Sequence, residues 1–334
     1  MKKHIYIYSP SGAVRDKAAF RRGVNRLKKL GHEIEIDEAA LSSHMRFAGD
    51  DETRLAAIHR AAASGADIAL ISRGGYGLTR ILDQVNYKAV AKGIEAGTRF
   101  VGFSDFTALS LALLAKTGAI TWAGPALCDD FGAGAKAPEP DGHGAVAAEC
   151  PDDIMEACFD DMVSGQGEGA GWRLLPEDKN NATLLLAGKA LAARASVDFS
   201  ASKSLLWGGN LAVLGSLVGT PYLPNIKGGI LFMEDVAESP YRVERMLSQL
   251  LHAGVLSRQK AIVLGQFTGY KLTSHDRGFK LKTVINWLRS QLNIPVLTNL
   301  PHGHVTTKVM LPVGAKVDLL VQGRDAMLLW GHAH

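Results

Sequence analysis

Short apolar runs alternate with amphipathic runs through the first part of the chain, and this alternation limits the fold more than any other feature. "HIYIYSP" reads as a strand. "VRDKAAFRRGVNRLKKLGH" has helical spacing and reaches Gly31, a helix C-cap. "EIEID" is strand-like again, and "DETRLAAIHRAAASGA" is a second helix. "DIALIS" is a short buried strand followed by the turn "RGGYG". "TRFVGF" leads into the helix "DFTALSLALLAKTG", and "AITWAG" closes the series. Such repetition predicts an α/β fold with a parallel sheet covered by helices. Ligands of these sheets bind beyond the carboxyl ends of the strands. Both "RGGYG" and "FSD" follow strands, so both belong at that rim.

A second core follows. "LLAGKALAARA" and "GGILFMEDV" read as strands, and "GGNLAVLGSLVGTPYLP" as a helix started by a Gly-Gly-Asn turn. "SPYRVERMLSQLLHAG" puts Pro240 at a helix start, where its missing N–H costs least. Tyr241, Met246, Leu247, Leu250 and Leu251 form its expected apolar face. "KVMLPVGAKVDLLVQGRDAMLLW" reads as short antiparallel strands joined by Gly turns. Between the halves, "FGAGAKAPEPDGHGA" and "SGQGEGAG" read as loops around a short helix, "PDDIMEACFDDMV". The expected organisation is an N-terminal domain over residues 1–150, an irregular linker over 151–185 and a C-terminal domain over 186–334.

Composition removes several classes of function. The net charge of +4 is scattered, with no dense Lys/Arg block, so nucleic acid is not an expected partner. No apolar run has transmembrane length, and the N-terminal "MKKHIYIYSPSG" lacks the apolar stretch and cleavage site of a signal peptide. Cys128, Cys150 and Cys158 form neither a disulfide framework nor a zinc spacing. A reducing cytoplasm is the simplest setting, with no membrane association.

Four strings carry chemistry. Ser104 lies at a strand–turn–helix corner, "GFSDFT". That corner suits an elbow that lifts a nucleophile, but the second Gly of G-x-S-x-G is missing, and Ser104 or Asp105 also suits a plain helix cap. "SRGGYGLTR" has consecutive glycines that let a backbone approach an oxyanion or a phosphate, or simply turn tightly. It is neither a Walker A loop nor G-x-G-x-x-G. "LFMEDV" carries Glu234 and Asp235 to a strand end. A carboxylate there either holds an imidazole or remains a surface group. "NLPHGHVTTK" offers His302 and His304 as a general base or as a His-x-His metal pair, although no further ligands accompany them.

Taken together, "RGGYGLTR", "GFSDFTAL", "GGNLAVLGSLVGTPYLP", "LFMEDVAESPYRVERML" and "GHVTTKVMLPVG" resemble the LD-carboxypeptidase family of serine peptidases, which includes the microcin C immunity peptidases. The resemblance runs from "SPSG" to "LPVG", nearly the whole chain. It implies a Rossmann-like parallel-sheet domain followed by a mixed α/β domain rich in strands, with the active site at their interface. It implies a Ser104–Glu234–His304 triad, His304 being preferred because the family base directly follows a Gly. An oxyanion would lie against the Asp105 N–H and the Gly74–Gly75 turn. Arg73 and Arg80 are candidates for the substrate carboxylate.

The implied reaction cleaves an L–D peptide bond and releases terminal D-Ala from a muropeptide tetrapeptide, without metal or cofactor. The implied enzyme is a cytoplasmic homodimer. One alternative is an amide hydrolase of peptidyl- or aminoacyl-nucleotides, for which Trp172 and Trp207 could provide stacking. Another is a non-catalytic sugar- or nucleotide-binding protein.

Overall fold

The computed structural model describes residues 2–134, 150–176, 178 and 199–331. The expected strand "LLAGKALAARA" and most of the loop "FGAGAKAPEPDGHGA" fall outside these residues.

The first sheet is built from β1 (His4–Tyr8), β2 (Glu33–Ile36), β3 (Ile68–Ile71), β4 (Arg99–Gly102) and β5 (Thr121–Ala123). Helices α1 (Lys17–Lys29), α2 (Asp51–Ala63), α3 (Tyr87–Glu95) and α4 (Phe106–Thr117) connect them. All five strands run parallel, in the order β5-β4-β3-β1-β2. The order reverses at β1 and β3, so the loops after these strands flank the crevice where such sheets take ligands. The strand β3, "IALI", is buried at every residue, as a parallel strand covered on both faces should be. Asp16 caps α1 by accepting from the Ala18 and Ala19 N–H groups.

The second sheet contains β6 (Gly169–Arg173), β7 (Phe199–Asn210), β8 (Ile230–Val236), β9 (Ala261–Thr268), β10 (Val296–Leu297), β12 (Lys316–Gln322) and β13 (Asp325–Leu329). α5 (Asp153–Ser164) packs on the first half, where its Met155 and Phe159 join Phe20 and Leu127, and the helices of the second half are α6 (Leu211–Ser216), α7 (Pro240–His252) and α8 (Leu281–Gln291). The strands follow the order β10-β9-β8-β7-β12-β13-β6, parallel from β10 to β7 and antiparallel beyond. The remaining strand, β11 (Leu311–Val313), crosses back and pairs antiparallel with β5 of the first sheet.

One apolar core runs through both halves, and a second, around Ile5, Phe20, Val101 and Leu127, belongs to the first sheet. α4 is buried on every side from Phe106 to Leu114, because it lies between the first sheet and the β7–α6 segment. Each fully buried Leu or Phe of this helix contributes roughly 1.5–3 kcal/mol from removal of apolar surface from water.

Three expectations change. "SGQGEGAG" is not wholly a loop, because its last residues begin β6. There Ala170 and Trp172 point inward against β13, and Gly composition hid that alternation. "GGN" starts the helix as expected, Asn210 Oδ1 accepting from the Val213 N–H at 3.1 Å, but it also ends β7, paired through Asn210 with Glu234, and α6 spans only Leu211–Ser216. In α7 the buried face is Pro240, Val243, Leu247 and Leu250, whereas Tyr241 is exposed. Pro240 does open that helix as expected.

Candidate active site

The corner after β4 is strained in a specific way. Ser104 has φ +61°, a left-handed conformation that non-glycine residues adopt rarely and mostly at functional turns. Gly102 makes the corner possible, since a Cβ there would come within 2.7 Å of Ile71 Cδ1 and 2.9 Å of Phe106 Cγ. Neither Ser104 nor Asp105 caps α4 with its side chain. The Asp105 carboxylate, 2% exposed, instead accepts from the Ser11 hydroxyl at 2.8 Å and from the Leu78 N–H at 2.9 Å. It thereby ties together the loops that follow β1, β3 and β4. Burial pushes its pKa up. The Asp105 N–H itself stands at the α4 N-terminus, where helical N–H groups lack partners within the helix.

The double glycine closes on the same corner. A Cβ on Gly74 would lie 2.7 Å from Ser104 Cβ and 2.9 Å from Ser104 Oγ. The Gly74 carbonyl accepts from the Gly12 N–H at 3.2 Å, and the following Gly75 is exposed with φ +116°. The two candidate arginines diverge. Arg73 lies beside Gly12 and donates to the Ala13 carbonyl at 3.3 Å. Arg80 is drawn to the start of α2, where its Nε meets Asp51 Oδ2 at 2.6 Å. Asp51 also holds the buried Arg54, so Arg80 belongs to an ion-pair cluster at that helix end.

The second half supplies a carboxylate and an imidazole. Glu234, on β8, is 1% exposed and its Oε2 lies 2.8 Å from His304 Nδ1. Gly303, at φ +135°, permits this contact, since a Cβ there would lie 2.9 Å from Glu234 Oε2. Burial alone would raise the Glu234 pKa, but the neighbouring His304 brings it below the usual value. Burial likewise opposes charge on His304, yet the Glu234 carboxylate holds its pKa above that of an ordinary imidazole.

Asn210 steadies the acid from the other side. Its Nδ2 donates to Glu234 Oε1 and to Asp235 Oδ1, each at 3.1 Å. Asp235 accepts further from the Ala212 and Val236 N–H groups, and burial followed by repulsion from Glu234 lifts its pKa to about 7. His302 is a different kind of residue. It is fully buried, its Nδ1 is 3.1 Å from the Val309 carbonyl, and burial pushes its pKa down to about 4. The two histidines therefore do not converge as a metal pair, and no cluster of potential metal ligands occurs among the described residues.

The two sets face each other across the junction of the sheets. Phe103 packs its ring 4.9 Å from the His304 ring, which sets the imidazole beside the residue preceding Ser104. Thr107 Oγ1 on α4 accepts from the Asn210 N–H at 3.0 Å, and Gly209 leaves room for that approach. One small pocket is lined by Ser104, Thr107, Asn210, Glu234 and His302, residues of both halves. No hydrogen bond joins Ser104 to His304 in this structure, and catalytic hydrogen bonds commonly tighten only when substrate binds.

Sequence reading missed Asn210, Thr107 and the buried Asp130–Lys308 ion pair. The Asn after "GG" reads as turn chemistry until β7 and β8 are seen to pair. Trp172 and Trp207 do not provide a stacking surface. Both are buried, with Nε1 donating to the Thr298 carbonyl and to Gln259 respectively.

A hydroxyl on a strained strand–helix corner, with a buried carboxylate–imidazole couple opposite, is an arrangement suited to acyl transfer. Comparison with known proteins agrees with that class. The LD-carboxypeptidase N-terminal domain matches residues 5–124 and the LD-carboxypeptidase C-terminal domain matches residues 203–319. The chain belongs to the LD-carboxypeptidase family of serine peptidases.

The chain is 36% identical to the muramoyltetrapeptide carboxypeptidase from Oxalobacter formigenes, whose crystal structure superposes with a TM-score of 0.78 over 97% of each chain. It is 27% identical to the probable murein peptide carboxypeptidase of Bacillus subtilis, over 90% of this chain and 84% of that one. It is 26% identical to the microcin C7 self-immunity protein of Escherichia coli, over 93% of this chain and 88% of that one. Among the described residues no helix is long and apolar enough to cross a membrane.

Proposed function

We propose that this protein is a serine carboxypeptidase that hydrolyses an L–D peptide bond and releases terminal D-Ala from muropeptide tetrapeptides in cell-wall recycling. The observation that carries the reading is the placement of Ser104 at a φ of +61°, flush against Gly74 and across the junction from the Glu234–His304 couple. Two relatives named for murein peptide or muramoyltetrapeptide cleavage support the substrate class.

In this reading Ser104 Oγ attacks the carbonyl carbon while His304 Nε2 takes its proton. Glu234 accepts from His304 Nδ1–H, fixes the tautomer and stabilises the imidazolium. The developing oxyanion lies against the Asp105 N–H at the start of α4 and an N–H of the Gly74–Gly75 turn. His304 then gives its proton to the leaving D-Ala amine, and water activated by the same imidazole releases the acyl group. Arg73, beside the Gly12–Gly75 contact, is the better placed cation for the substrate carboxylate, because Arg80 is engaged with Asp51. The family likeness also carries the reading of a cytoplasmic homodimer; light scattering on the purified protein tests the dimer, and cell fractionation tests the location.

The aminoacyl-nucleotide reading asks for an aromatic stacking surface, and Trp172 and Trp207 do not supply it. Incubation with an anhydro-muropeptide tetrapeptide should release free D-Ala. Incubation with an aminoacyl sulfamoyl adenosine should leave that compound intact. Cleavage of the nucleotide compound with no release of D-Ala would reverse the assignment.

A further inference from the structure

The loop Pro301–Val309 carries His304 and is fastened to the first half of the chain at its far end. Its base is closed by the Val309 N–H donating to the Pro301 carbonyl at 2.9 Å. Within it, Lys308 is 2% exposed, and its Nζ donates to the Val305 carbonyl at 2.5 Å. The same ammonium forms an ion pair with Asp130, on the single helical turn Leu127–Phe131 that follows β5. Asp130 is 4% exposed, and its other oxygen accepts from the Ala126 N–H at 2.7 Å. Thr307 adds a second tie to the first half, donating to Asp152 Oδ2 at 2.8 Å. Lys308 Nζ also lies 4.7 Å from the centroid of the Phe103 ring, and that ring packs against His304.

We propose that Lys308 is a positioning residue for His304. With Asp130 as counter-charge and the Phe103 ring in contact with both ammonium and imidazole, it sets the His304 loop in register with the Ser104 corner. It also places a positive charge beside the base. The inference rests on the reading of Ser104 and His304 as nucleophile and base.

Two arguments support this role over mere packing. A fully buried ion pair adds little net stability, because desolvation offsets most of the attraction. A pair of apolar side chains would fill the same space at less cost, so the charges have another use. Second, the pair joins elements from the two halves beside the Phe103–His304 contact, where their relative position bears on the Ser104–His304 geometry. Misplacement by an ångström at such a point is worth on the order of a hundredfold in rate.

The charged and titratable groups facing His304 are Glu234 on β8, Lys308 and the buried His302 in its own loop, and Asp129 beside Asp130. Glu234 and Asp129 favour the imidazolium, and Lys308 opposes it. Loss of the Lys308 charge therefore makes His304 more basic. The base is then protonated up to a higher pH, and the acid limb of the rate profile moves to higher pH.

The test compares wild type, Lys308→Met and the double variant Lys308→Met/Asp130→Asn in D-Ala release from a tetrapeptide, with kcat and KM measured across pH. Lys308→Met leaves Asp130 buried and unpaired, which costs stability; the double variant removes both charges together. Thermal melts identify the variants that are folded. In a folded variant we expect kcat to fall about tenfold or more, KM to change little, and the acid limb to move to higher pH. A folded double variant with wild-type kcat and a wild-type acid limb would overturn the proposal. Ser104→Ala in the same assay separates the two levels. If Ser104→Ala abolishes release while the Lys308 variants behave as wild type, the triad stands and only the role of Lys308 falls. If Ser104→Ala remains active, the triad reading fails and takes this inference with it.

Discussion

Gly74 and Ser104 are packed so closely that no side chain fits between them: a Cβ on Gly74 would lie 2.7 Å from Ser104 Cβ and 2.9 Å from its hydroxyl oxygen. The first glycine of "RGGYG" is thus a neighbour of the candidate nucleophile, not only a turn residue. Gly74→Ala should displace the Ser104 side chain while leaving the sheet intact. We expect kcat to fall by about a hundredfold with little change in melting temperature, measured by D-Ala release and by thermal denaturation. A normal kcat in Gly74→Ala would mean that the corner has more room than its geometry shows.

The His304–Glu234 contact predicts a pH dependence with a definite sign. A general base must be neutral to accept a proton, so kcat/KM should rise with pH as His304 deprotonates. Because Glu234 raises the His304 pKa above the ordinary imidazole value, the wild-type acid limb should lie above about 6.5. Glu234→Gln removes the carboxylate charge. Its acid limb should move to lower pH, while the plateau drops by about a thousandfold or more through loss of tautomer control. A pH–rate profile of the two proteins checks both directions at once.

Asp105 gives a prediction about stability. Its buried carboxylate accepts from Ser11 and from the Leu78 N–H, so it links three loops at the rim of the first sheet. Asp105→Ala leaves both donors unpaired and should cost about 1–3 kcal/mol. Chemical denaturation should show that loss, and amide exchange should speed up first in residues 74–78.

Gly303 should tolerate no side chain. Its φ of +135° and the 2.9 Å approach of Glu234 Oε2 to a built Cβ mean that Gly303→Ala must move either the carboxylate or the His304 loop. We expect kcat to fall by about tenfold or more with KM nearly unchanged, since the imidazole and not the substrate site is displaced.

Much of this architecture was readable in the chain because its signals are local. Strand–helix alternation gave the first sheet, and the capping Gly and Pro residues gave helix ends such as Pro240. The rim position of "RGGYG" and "FSD" followed from the parallel sheet alone. Two features could not be read locally. Asn210 looks like turn chemistry until β7 and β8 are paired, because its partners Glu234 and Asp235 lie on another strand. Lys308 and Asp130 are both ordinary charged residues in sequence, and only the return of β11 to the first sheet brings them together. β6 was hidden for a different reason, since glycines at Gly169 and Gly171 erase half of the alternation that marks a strand.

The measurement that bears most directly on the account is the fate of a muropeptide tetrapeptide ending in D-Ala, incubated with wild type and with Ser104→Ala and followed by mass spectrometry. The account predicts that wild type yields the tripeptide and free D-Ala, and that Ser104→Ala, folded to the same melting temperature, yields neither. Release of D-Ala by folded Ser104→Ala at the wild-type rate would contradict it.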